Sequence, residues 1–490
     1  MHPSELSQEE FFHKIREDNS WRDFTIDTRS LRPGAVFFAL RGEFSNGHSY
    51  ISHAMKRGAK AVVLNNLWFS SHRDVLTNEA KMRKISLVPV DNVLACLQGA
   101  GSMILKQYDT VKIGITGSSG KTTTKDLLAC ALSAAHSARS VGSVYYTEGN
   151  YNSVVGVPIV LAHIPAHTDY IVLEMGISEL GEMQVLNDMI MPDHALLTGI
   201  GTAHLGRLGS VEHIVREKFR IFSTMNENGI AVIPKTNSIA MHYLNEHPLN
   251  CRVLFYGLTH EFGFSLLEEN IGGSRFSYAG HTYRLPAWGQ HQLHNAAGVI
   301  TMATALGLSP QQINEGFAFF RIQSGRGNII RGASVLIDDS YNANPESMRA
   351  AFASARSIAE REHLQCIFIL GDMKELGDTK FMIHRDILDA ALDHHPAEIA
   401  LIGDDFPAAS QRLSRKQRSR VRTFPHIDEL RTWLKTAPSS GMLFLIKASR
   451  SMGLERLIGD VPGVGVGGAD DVGGADRVAA SAGVGGADDA

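Results

Sequence analysis

The chain has 490 residues, of which 44% are hydrophobic and 20% charged, and its formal net charge is −4. This balance excludes the basic footprint of a nucleic-acid-binding protein, and the length predicts about three domains. The N-terminus is too charged for a signal peptide, and no apolar run reaches the roughly 18 residues of a membrane span. We therefore expect a cytosolic enzyme without membrane insertion.

The first predicted domain covers residues 1–108. Short β-rich pieces at 35–40 and 61–64 alternate there with turn-forming segments such as SNGH and RGAK. This pattern predicts a small N-terminal α/β module.

The second predicted domain, residues 109–320, opens with VKIGITGSSGKTTTKD at 111–126. An apolar strand leads there into a glycine turn, a lysine, three threonines and a helix. Gly117 and Gly120 allow a tight turn whose N–H groups face phosphate, Lys121 can reach the outer phosphates, and Thr122 can ligate Mg²⁺. The spacing is the compact G-x-x-G-K-T form, which predicts a phosphate loop.

Further apolar runs at 170–175 and 195–200 and a helix at 211–222 predict a doubly wound nucleotide domain. Glu174 closes the first run, where a carboxylate can hold Mg²⁺. Taken alone, His204 is more typical of a hydrogen-bonded loop residue, and Lys218 of a solvated surface charge. Glu174, His204 and Lys218 become candidate site residues because they follow the phosphate loop in this order.

The third predicted domain, residues 321–460, is a Rossmann-like α/β domain. Strands are predicted at 334–338, 366–370, 399–402 and 442–446, with helices at 346–360 and 381–392. Residues 461–490 form a Gly/Ala/Asp-rich segment with recurring VGGAD and without aromatic residues. We predict that this tail is disordered and lies outside the catalytic unit.

The chain resembles the Mur ligases, the ATP-dependent amide-forming enzymes of cell-wall precursor synthesis, from about residue 23 to 459. The phosphate loop with Glu174, His204 and Lys218 carries the resemblance in the centre. Asp27-Thr28-Arg29 with SNGH resembles the N-terminal uridine-diphosphate module of this family. IDDSYNANPESM at 337–348 and LGDMKELG at 370–377 resemble the member that adds the last dipeptide, and the D-N-P-R motif of the member adding the third residue is absent from the sequence.

The resemblance implies an ATP site built from the phosphate loop, a nucleotide-side helix and residues of the third domain. Those residues are Gly117, Ser118, Ser119, Gly120, Lys121, Thr122, Thr123, His291, Asn295, Arg326, Asp339, Tyr341 and Asn342. It implies catalytic roles for Lys121 on the β and γ phosphates, Arg326 on the γ phosphate, and His204 and Lys218 at the metal.

Two Mg²⁺ ions are implied, the first on Thr122 and Glu174 and the second on His204. Lys218 falls where the family carries a carbamoylated lysine, and a carbamate suits a site that needs anionic ligands. The implied residues for the uridine-nucleotide substrate are Asp27, Thr28, Arg29, Asn46, Gly47, His48, Asn150 and Asn152, the last two in a loop that also holds Tyr146.

Five positions depart from the family pattern: Thr28, Ser153, Arg220, Gln292 and Ala448. Arg220 stands where a glutamate is usual, two residues after Lys218. It places a positive charge near the proposed metal ligands, whereas the other changes are mild.

The implied reaction is the phosphorylation by ATP of the carboxylate of UDP-MurNAc-tripeptide, followed by attack of the amine of D-Ala-D-Ala on the acyl phosphate. We expect a monomer, and the third residue of the tripeptide stays open between diaminopimelate and lysine. The alternatives are another ligase of the superfamily, either the UDP-MurNAc-dipeptide ligase or a folylpolyglutamate synthetase, and a P-loop switch protein that hydrolyses nucleotide.

Overall fold

The computed structural model describes residues 5–42, 45–137, 143–147, 149 and 151–464. The chain divides into two compact units. Unit 1 comprises Met1–Arg321 with Glu375–Gly377, and unit 2 comprises Ile322–Lys374 with Asp378–Ala490. The fold is α/β, as predicted from the alternating apolar runs.

The N-terminal part of unit 1 is built on a four-stranded parallel sheet. Its strands are β1 (Phe24–Thr25), β2 (Val36–Phe38), β3 (Ala61–Asn65) and β4 (Ser86–Val90), in the order β1-β2-β3-β4. The helices are α1 (Gln8–Glu17), α2 (Ile51–Lys56), α3 (Asn66–Arg83) and α4 (Val93–Leu105). Because both faces of the sheet are covered, β2, β3 and β4 are almost entirely apolar and buried.

The central part of unit 1 is built on a six-stranded parallel sheet. The strands are β5 (Val111–Thr116), β6 (Ser143–Tyr146), β7 (Thr168–Glu174), β8 (His194–Leu197), β9 (Ile230–Pro234) and β10 (Arg252–Tyr256), in the order β10-β9-β8-β5-β7-β6. The helices are α5 (Lys121–Ser137), α6 (Gly156–Leu161), α7 (Glu182–Ile190), α8 (Leu205–Leu208), α9 (Val211–Phe219) and α10 (Ser238–Glu246). The strand order reverses beside β5, so ligands are expected at the carboxyl end of this strand.

One core cluster joins these two parts. Ile159 and Ala162 of the central part pack among the N-terminal residues Phe11, Val36 and Leu97. This shared core explains why the domains predicted at 1–108 and 109–320 form a single compact unit.

A small antiparallel sheet completes unit 1, and the sequence analysis did not predict it. It contains β11 (Ser265–Asn270), β12 (Gly273–Tyr278) and β13 (His281–Leu285), followed by α11 (Gln290–Ala305) and α12 (Pro310–Phe319). Helix α11 packs against α5, so this region braces the helix that follows the phosphate loop.

Unit 2 contains a six-stranded sheet. The strands are β14 (Asn328–Arg331), β15 (Val335–Asp339), β16 (Gln365–Gly371), β17 (Glu398–Ile402), β18 (Val421–Phe424) and β19 (Met442–Lys447). Their order is β14-β15-β19-β16-β17-β18, in which only the edge strand β14 is antiparallel. The helices are α13 (Pro345–Glu362), α14 (Lys380–Asp393), α15 (Asp405–Ser410), α16 (Arg415–Arg418) and α17 (Ile427–Leu434).

The predicted start of the disordered tail at residue 461 is wrong. Val461 and Val464 are buried in the core of unit 2, and the Ser334 N–H donates to the Gly463 carbonyl at 3.1 Å. Apolar packing therefore holds the chain to residue 464. The rest of the predicted tail, 465–490, lies outside the described residues.

Candidate active site

The phosphate loop joins β5 to α5 and depends on two glycines. Gly117 has φ +151° and Gly120 has φ +81°. A Cβ atom on Gly117 would lie 1.9 Å from the Thr198 hydroxyl, and one on Gly120 would lie 2.3 Å from Asn295 Oδ1. Both the backbone conformation and the close approach exclude larger residues.

The two serines of the loop tie it to the segment after β8. The Ser118 N–H donates to the Gly199 carbonyl at 2.9 Å, and the Ser118 hydroxyl accepts from the Gly201 N–H at 2.8 Å. The Thr198 hydroxyl donates to the Ser119 carbonyl at 2.5 Å. Residues 198–200 belong to the apolar run 195–200 but form this supporting loop, because β8 ends at Leu197.

Thr122 and Glu174 form the oxygen-rich corner of the site. The Thr122 hydroxyl donates to Glu174 Oε2 at 2.7 Å, and Asn152 Nδ2 donates to Glu174 Oε1 at 2.6 Å. Thr122 and Glu174 are each only 2% exposed. A buried carboxylate beside a hydroxyl is a fitting donor set for Mg²⁺, which prefers oxygen ligands. Thr123, next in the chain, is half-buried.

Lys125, which the sequence analysis did not single out, is fully buried beneath this corner. Its Nζ donates to the Thr147 carbonyl at 2.5 Å and lies 2.8 Å from Asp126 Oδ1. The Thr147 hydroxyl accepts from the Glu174 N–H at 3.0 Å. Lys125 also lies 5.2 Å from the centre of the Tyr146 ring, so it connects α5 to the segment that leads into the Asn152 loop.

Lys121 and Lys218 meet at one backbone oxygen. Lys121 Nζ donates to the Gly117 carbonyl at 2.9 Å, and Lys218 Nζ donates to the same oxygen at 3.2 Å. Lys218 is fully buried. Burial, reinforced by the charge of Lys121, holds the pKa of Lys218 well below its usual value, although Glu217 opposes this shift. A solvated surface position, which a lone lysine would be expected to have, is therefore wrong for Lys218. Burial instead favours the neutral form of its amine.

Arg220 is paired with Glu217. Arg220 Nη1 lies 3.4 Å from Glu217 Oε2, while Glu217 Oε1 accepts from the Gly181 and Met183 N–H groups at 2.9 and 3.0 Å. Glu217 thus fastens α9 to the start of α7 and partly balances the arginine. No local sequence pattern indicates Glu217, because its partners are backbone groups more than 30 residues away.

His204 has a strained backbone and a carboxylate partner. Its φ is +64°, and its Nδ1 lies 2.5 Å from Glu375 Oε2 in the short segment that groups with unit 1. This close contact with His204 lowers the pKa of the Glu375 carboxyl. Positive φ in a non-glycine residue often marks a functional position.

Helix α11 carries the predicted nucleotide-side residues. Asn295 is 6% exposed and faces Gly120, and His291 is half-buried one turn earlier. Gln292, which replaces a family asparagine, is also buried. The structure therefore brings Asn295 to the phosphate loop.

A separate cleft of about 1440 Å³ lies in unit 1 beside the N-terminal sheet. Six of the eight residues predicted for the uridine-nucleotide substrate line it: Asp27, Thr28, Arg29, Asn46, Gly47 and His48. Gly47 is needed because a Cβ there would lie 2.5 Å from the Leu40 carbonyl oxygen.

Hydrogen bonds fix the side chains of this cleft. His48 Nδ1 donates to Asn46 Oδ1 at 3.0 Å, and Nε2 accepts from the Asn65 N–H at 3.0 Å, so the ring is neutral. Burial also lowers the pKa of His48, which favours the same neutral form of the ring. Arg29 forms a 2.7 Å ion pair with Asp27 at the rim, and Thr28 bonds His53 at 2.9 Å.

Trp68 also lines the cleft, as do Asn65 and Asp91, and sequence reasoning missed all three. The Trp68 ring lies 5.1 Å from the His48 ring and stacks on His72 at 4.5 Å. An aromatic residue at the start of α3 is the signal that could have found it.

In unit 2, the predicted residues lie at the carboxyl end of β15, beside β19, or in the segment before β14. The Arg326 guanidinium lies 3.9 Å from the Tyr341 ring centre, a cation–π contact, and Arg450 lies 5.5 Å from it. Asp339 Oδ2 pairs with the buried Lys447 at 2.6 Å, and Lys447 also donates to the Asn342 carbonyl at 2.9 Å. The four predicted residues of this unit therefore form one cluster.

Asp372, His384 and Asp405 also lie together in unit 2, close enough to suggest a metal site. Both nitrogens of His384 are engaged by backbone groups, Nδ1 donating to Lys380 at 2.7 Å and Nε2 accepting from Met373 at 2.9 Å. Asp372 accepts from the N–H groups of residues 404, 405 and 406. These bonds brace the loop after β16 and leave His384 without a nitrogen for a metal.

The prediction for Asn150 and the prediction about membrane insertion do not concern the contacts above. Asn150 lies outside the described residues. Across the described part of the chain, every helix is too short or too polar to cross a membrane.

Family comparisons cover most of the chain. Three family models match: the "Mur ligase family, catalytic domain" at residues 23–100, the "Mur ligase middle domain" at 115–303, and "Mur ligase, glutamate ligase domain" at 325–450. The chain is 31% identical over 441 residues to the UDP-N-acetylmuramoyl-tripeptide–D-alanyl-D-alanine ligase of Treponema pallidum, covering 88% of this chain and 92% of that protein.

Two solved structures are similar over the same extent. The crystal structure I of MurF from Acinetobacter baumannii superposes with a TM-score of 0.75 at 27% identity, covering 89% of this chain and 92% of that one. The MurF ligase from Thermotoga maritima in complex with ADP gives 0.71 at 25% identity, covering 90% and 97%.

Proposed function

The chain belongs to the Mur ligase family, and on that premise we propose that it joins D-alanyl-D-alanine to UDP-N-acetylmuramoyl-tripeptide at the expense of ATP. The relatives that carry this name match this chain over about nine-tenths of their length. One observation carries the assignment in the structure. The phosphate loop sets Lys121, the Thr122–Glu174 pair and the buried Lys218 around the Gly117 turn.

The reaction proceeds in two displacements. An oxygen of the tripeptide's terminal carboxylate attacks the γ phosphorus of ATP, the bond to the bridging oxygen breaks, and ADP leaves. The amine of the dipeptide then attacks the carbonyl carbon of the acyl phosphate, loses a proton and expels phosphate. Positioning and neutralisation of charge supply most of the acceleration in such a reaction.

Lys121 is the first of the groups that neutralise charge. Its ammonium is held at the Gly117 carbonyl, where the loop N–H groups and the start of α5 also favour an anion. We assign the β and γ phosphates of ATP to this position. Asn295 supports the loop from α11, beside Gly120.

Thr122 and Glu174 would hold one Mg²⁺, since their oxygens form a buried pair 2.7 Å apart. A bound Mg²⁺ supplies positive charge to the phosphate oxygens during transfer. His204 and Lys218 are our proposal for a second ion. His204 faces Glu375 through Nδ1, so Nε2 is the nitrogen that we propose as the metal ligand.

Lys218 fits this role only as an anion, because an ammonium would repel the metal. Its buried amine, biased toward the neutral form, is the nucleophile that carbamoylation requires. The nitrogen lone pair adds to the carbon of CO₂, one C=O π bond opens to an anionic oxygen, and the nitrogen gives up a proton to water. The product is a carbamate, a carboxylate-like ligand in place of a cation. Arg220 does not prevent this step in our account, because Glu217 pairs with it.

The remaining assignments follow the family motifs and the clusters described above. In unit 2, Arg326 would reach the γ phosphate, while Asp339, Tyr341 and Asn342 would contact the adenosine. In unit 1, the cleft with Asp27, Arg29 and His48 would take the uridine nucleotide. The loop with Asn152 would face the peptide.

A ligand panel distinguishes this function from the folate alternative. Thermal shifts are measured with UDP-MurNAc-tripeptide, the dipeptide form, folates and ATP. We expect the uridine nucleotides and ATP to raise Tm, with no shift from folates. A folate shift without a uridine-nucleotide shift would move the assignment to a folylpolyglutamate synthetase.

A further inference from the structure

A strongly basic surface lies at the edge of unit 2, on α16, on β18 and on the turns before and after α16. Between residues 406 and 427 the sequence contains no acidic side chain. All six of its cations are exposed, and we call them the basic surface: Arg412, Arg415, Lys416, Arg418, Arg420 and Arg422.

Few of these charges are balanced within the described structure. Among the ion pairs of the described residues, Arg422 alone of the six has a carboxylate partner, Glu398. Arg412 lies over the Phe381 ring at 5.7 Å, and Arg418 donates to the Gln411 carbonyl. A cation on an edge strand discourages pairing with another chain, which accounts for Arg422. It does not account for the cluster on α16.

The sequence contains a matching anionic segment at residues 465–490. This segment carries five aspartates and one arginine, whereas the whole chain has 51 acidic and 47 basic residues. The other residues therefore balance at 46 of each sign, and the entire net charge of −4 resides in this segment. Its acidic positions are Asp470, Asp471, Asp476, Asp488 and Asp489.

We propose that residues 465–490 lie over the basic surface of the same chain and neutralise it. The segment leaves unit 2 at Val464, which is buried in the same apolar cluster that Phe424 of β18 packs against. Phe424 is two residues from Arg422. The six residues from Val464 to Asp470 span up to about 20 Å, and the whole segment spans about 90 Å when extended, so its aspartates can reach all six cations.

Tethering favours this occupant over a free polyanion. The covalent connection gives the attached segment an effective concentration of about millimolar, at which several weak surface ion pairs can hold it in place. Nucleic acid or an anionic membrane would have to displace the segment first. The contact is electrostatic, and therefore weakens as salt rises.

Zero-length carbodiimide crosslinking with peptide mapping tests the proposal on the intact chain. Lys416 is the lysine of the basic surface, and exposed Lys435 of unit 2 is its matched control. Leu434, the neighbour of Lys435, lies in the same core cluster as Val464, where the segment leaves unit 2. A segment without affinity for the basic surface should therefore reach Lys435 at least as readily as Lys416. We expect crosslinks from the segment's aspartates to Lys416 to exceed those to Lys435 at low salt. The excess should vanish near 1 M NaCl, where the screening length is about 3 Å. Equal yields at low salt, or crosslinks only between separate chains, would overturn the proposal.

Binding in trans provides the second test. A labelled peptide of residues 465–490 is titrated into a chain that ends at Val464, alongside the same peptide with its five aspartates changed to asparagine. We expect the acidic peptide to bind at least about tenfold more tightly than its neutral counterpart, and Arg415→Ala/Lys416→Ala/Arg418→Ala to remove the difference. The intact chain should also bind heparin and anionic vesicles more weakly than a chain carrying the asparagine segment. Equal binding of both peptides, or of heparin and vesicles to both chains, would contradict coverage of the basic surface.

Discussion

Lys121 and Lys218 donate to the same acceptor, the carbonyl oxygen of Gly117, at 2.9 and 3.2 Å. Burial lowers the pKa of Lys218, and the charge of Lys121 on the same oxygen reinforces this shift. The phosphate loop therefore places, beside the lysine proposed for phosphate, a buried amine whose charged form is disfavoured. In our account this buried amine becomes the carbamate.

Lys218→Ala should reduce turnover by about 10² or more, the scale of losing one preorganised charged group. Lys235→Ala, which removes an exposed lysine paired with Glu261, should leave turnover unchanged. With ¹³C-bicarbonate, a carbamate resonance is expected from the parent chain and from the Lys235 variant. Full turnover in the Lys218 variant, or no resonance from the parent chain, would contradict the carbamate.

Lys121→Ala should abolish turnover, because it removes the charge that follows the transferring phosphoryl group. The uridine-nucleotide cleft is lined by other residues. Binding of UDP-MurNAc-tripeptide, followed by calorimetry, should therefore stay within about twofold of the parent value. Loss of both properties would mean that the substitution disrupts the fold.

Asn152→Ala should raise the Mg²⁺ concentration needed for half-maximal turnover by about 10- to 100-fold, the range for losing a partner that orients a metal ligand. Its amide holds Glu174 Oε1 at 2.6 Å, on the side of the carboxylate away from Thr122. Mg²⁺ titrations at saturating ATP measure the effect. Asn187→Ala, at a buried asparagine of α7 that bonds Ser223 and none of the proposed metal ligands, is the control and should leave the Mg²⁺ requirement unchanged.

Truncation after Val464 should leave Tm and turnover nearly unchanged, whereas truncation after Asp460 should destabilise unit 2. The second change removes Val461 and Val464 from the core, a loss of about 3 kcal/mol at about 1.5 kcal/mol for each buried side chain. For a domain of this size the Tm of unit 2 should fall by about 6 to 12 °C. Equal Tm values for the two truncations would show that the valines contribute nothing.

The free energy of unfolding should decline as pH falls below about 6.5. Burial lowers the pKa of His384 below the 6.5 of an exposed histidine, and His48, His194 and His294 shift in the same direction. The stabilisation is therefore complete above pH 6.5 and is lost on acidification, because the unfolded chain takes up protons first. Each histidine contributes up to about 1.4 kcal/mol per pH unit in this window. Urea titrations from pH 7.5 to 5 measure the slope, and His384→Gln should reduce it relative to His242→Gln, an exposed control.

Local patterns predicted the parallel sheets well. The strands β5, β7, β15, β16, β17 and β19 begin and end within a few residues of the apolar runs, since strands buried on both faces are continuously hydrophobic. The antiparallel sheet β11–β13 was missed, because β11 is almost entirely exposed and reads as polar loop. The burial of Val464 was not predicted, because the Gly/Val-rich segment around it has neither the helical nor the strand period of apolar residues.

The site was predictable where chemistry is concentrated in sequence, as in the phosphate loop. Glu217 and Lys125 were not, because their roles depend on backbone groups of distant segments. Trp68 is an aromatic residue near the start of α3, which is a signal in the sequence, but its contact with His48 depends on the fold.

The most direct test of the account is a coupled assay of ADP release with product analysis by mass spectrometry. With Mg²⁺ and ATP, we expect ADP in proportion to UDP-MurNAc-pentapeptide, and only when both UDP-MurNAc-tripeptide and D-Ala-D-Ala are present. Parallel runs with diaminopimelate-containing and lysine-containing tripeptides identify the preferred third residue. ADP release that needs no amine acceptor, or a better reaction of UDP-MurNAc-dipeptide with a single amino acid, would contradict the proposed function.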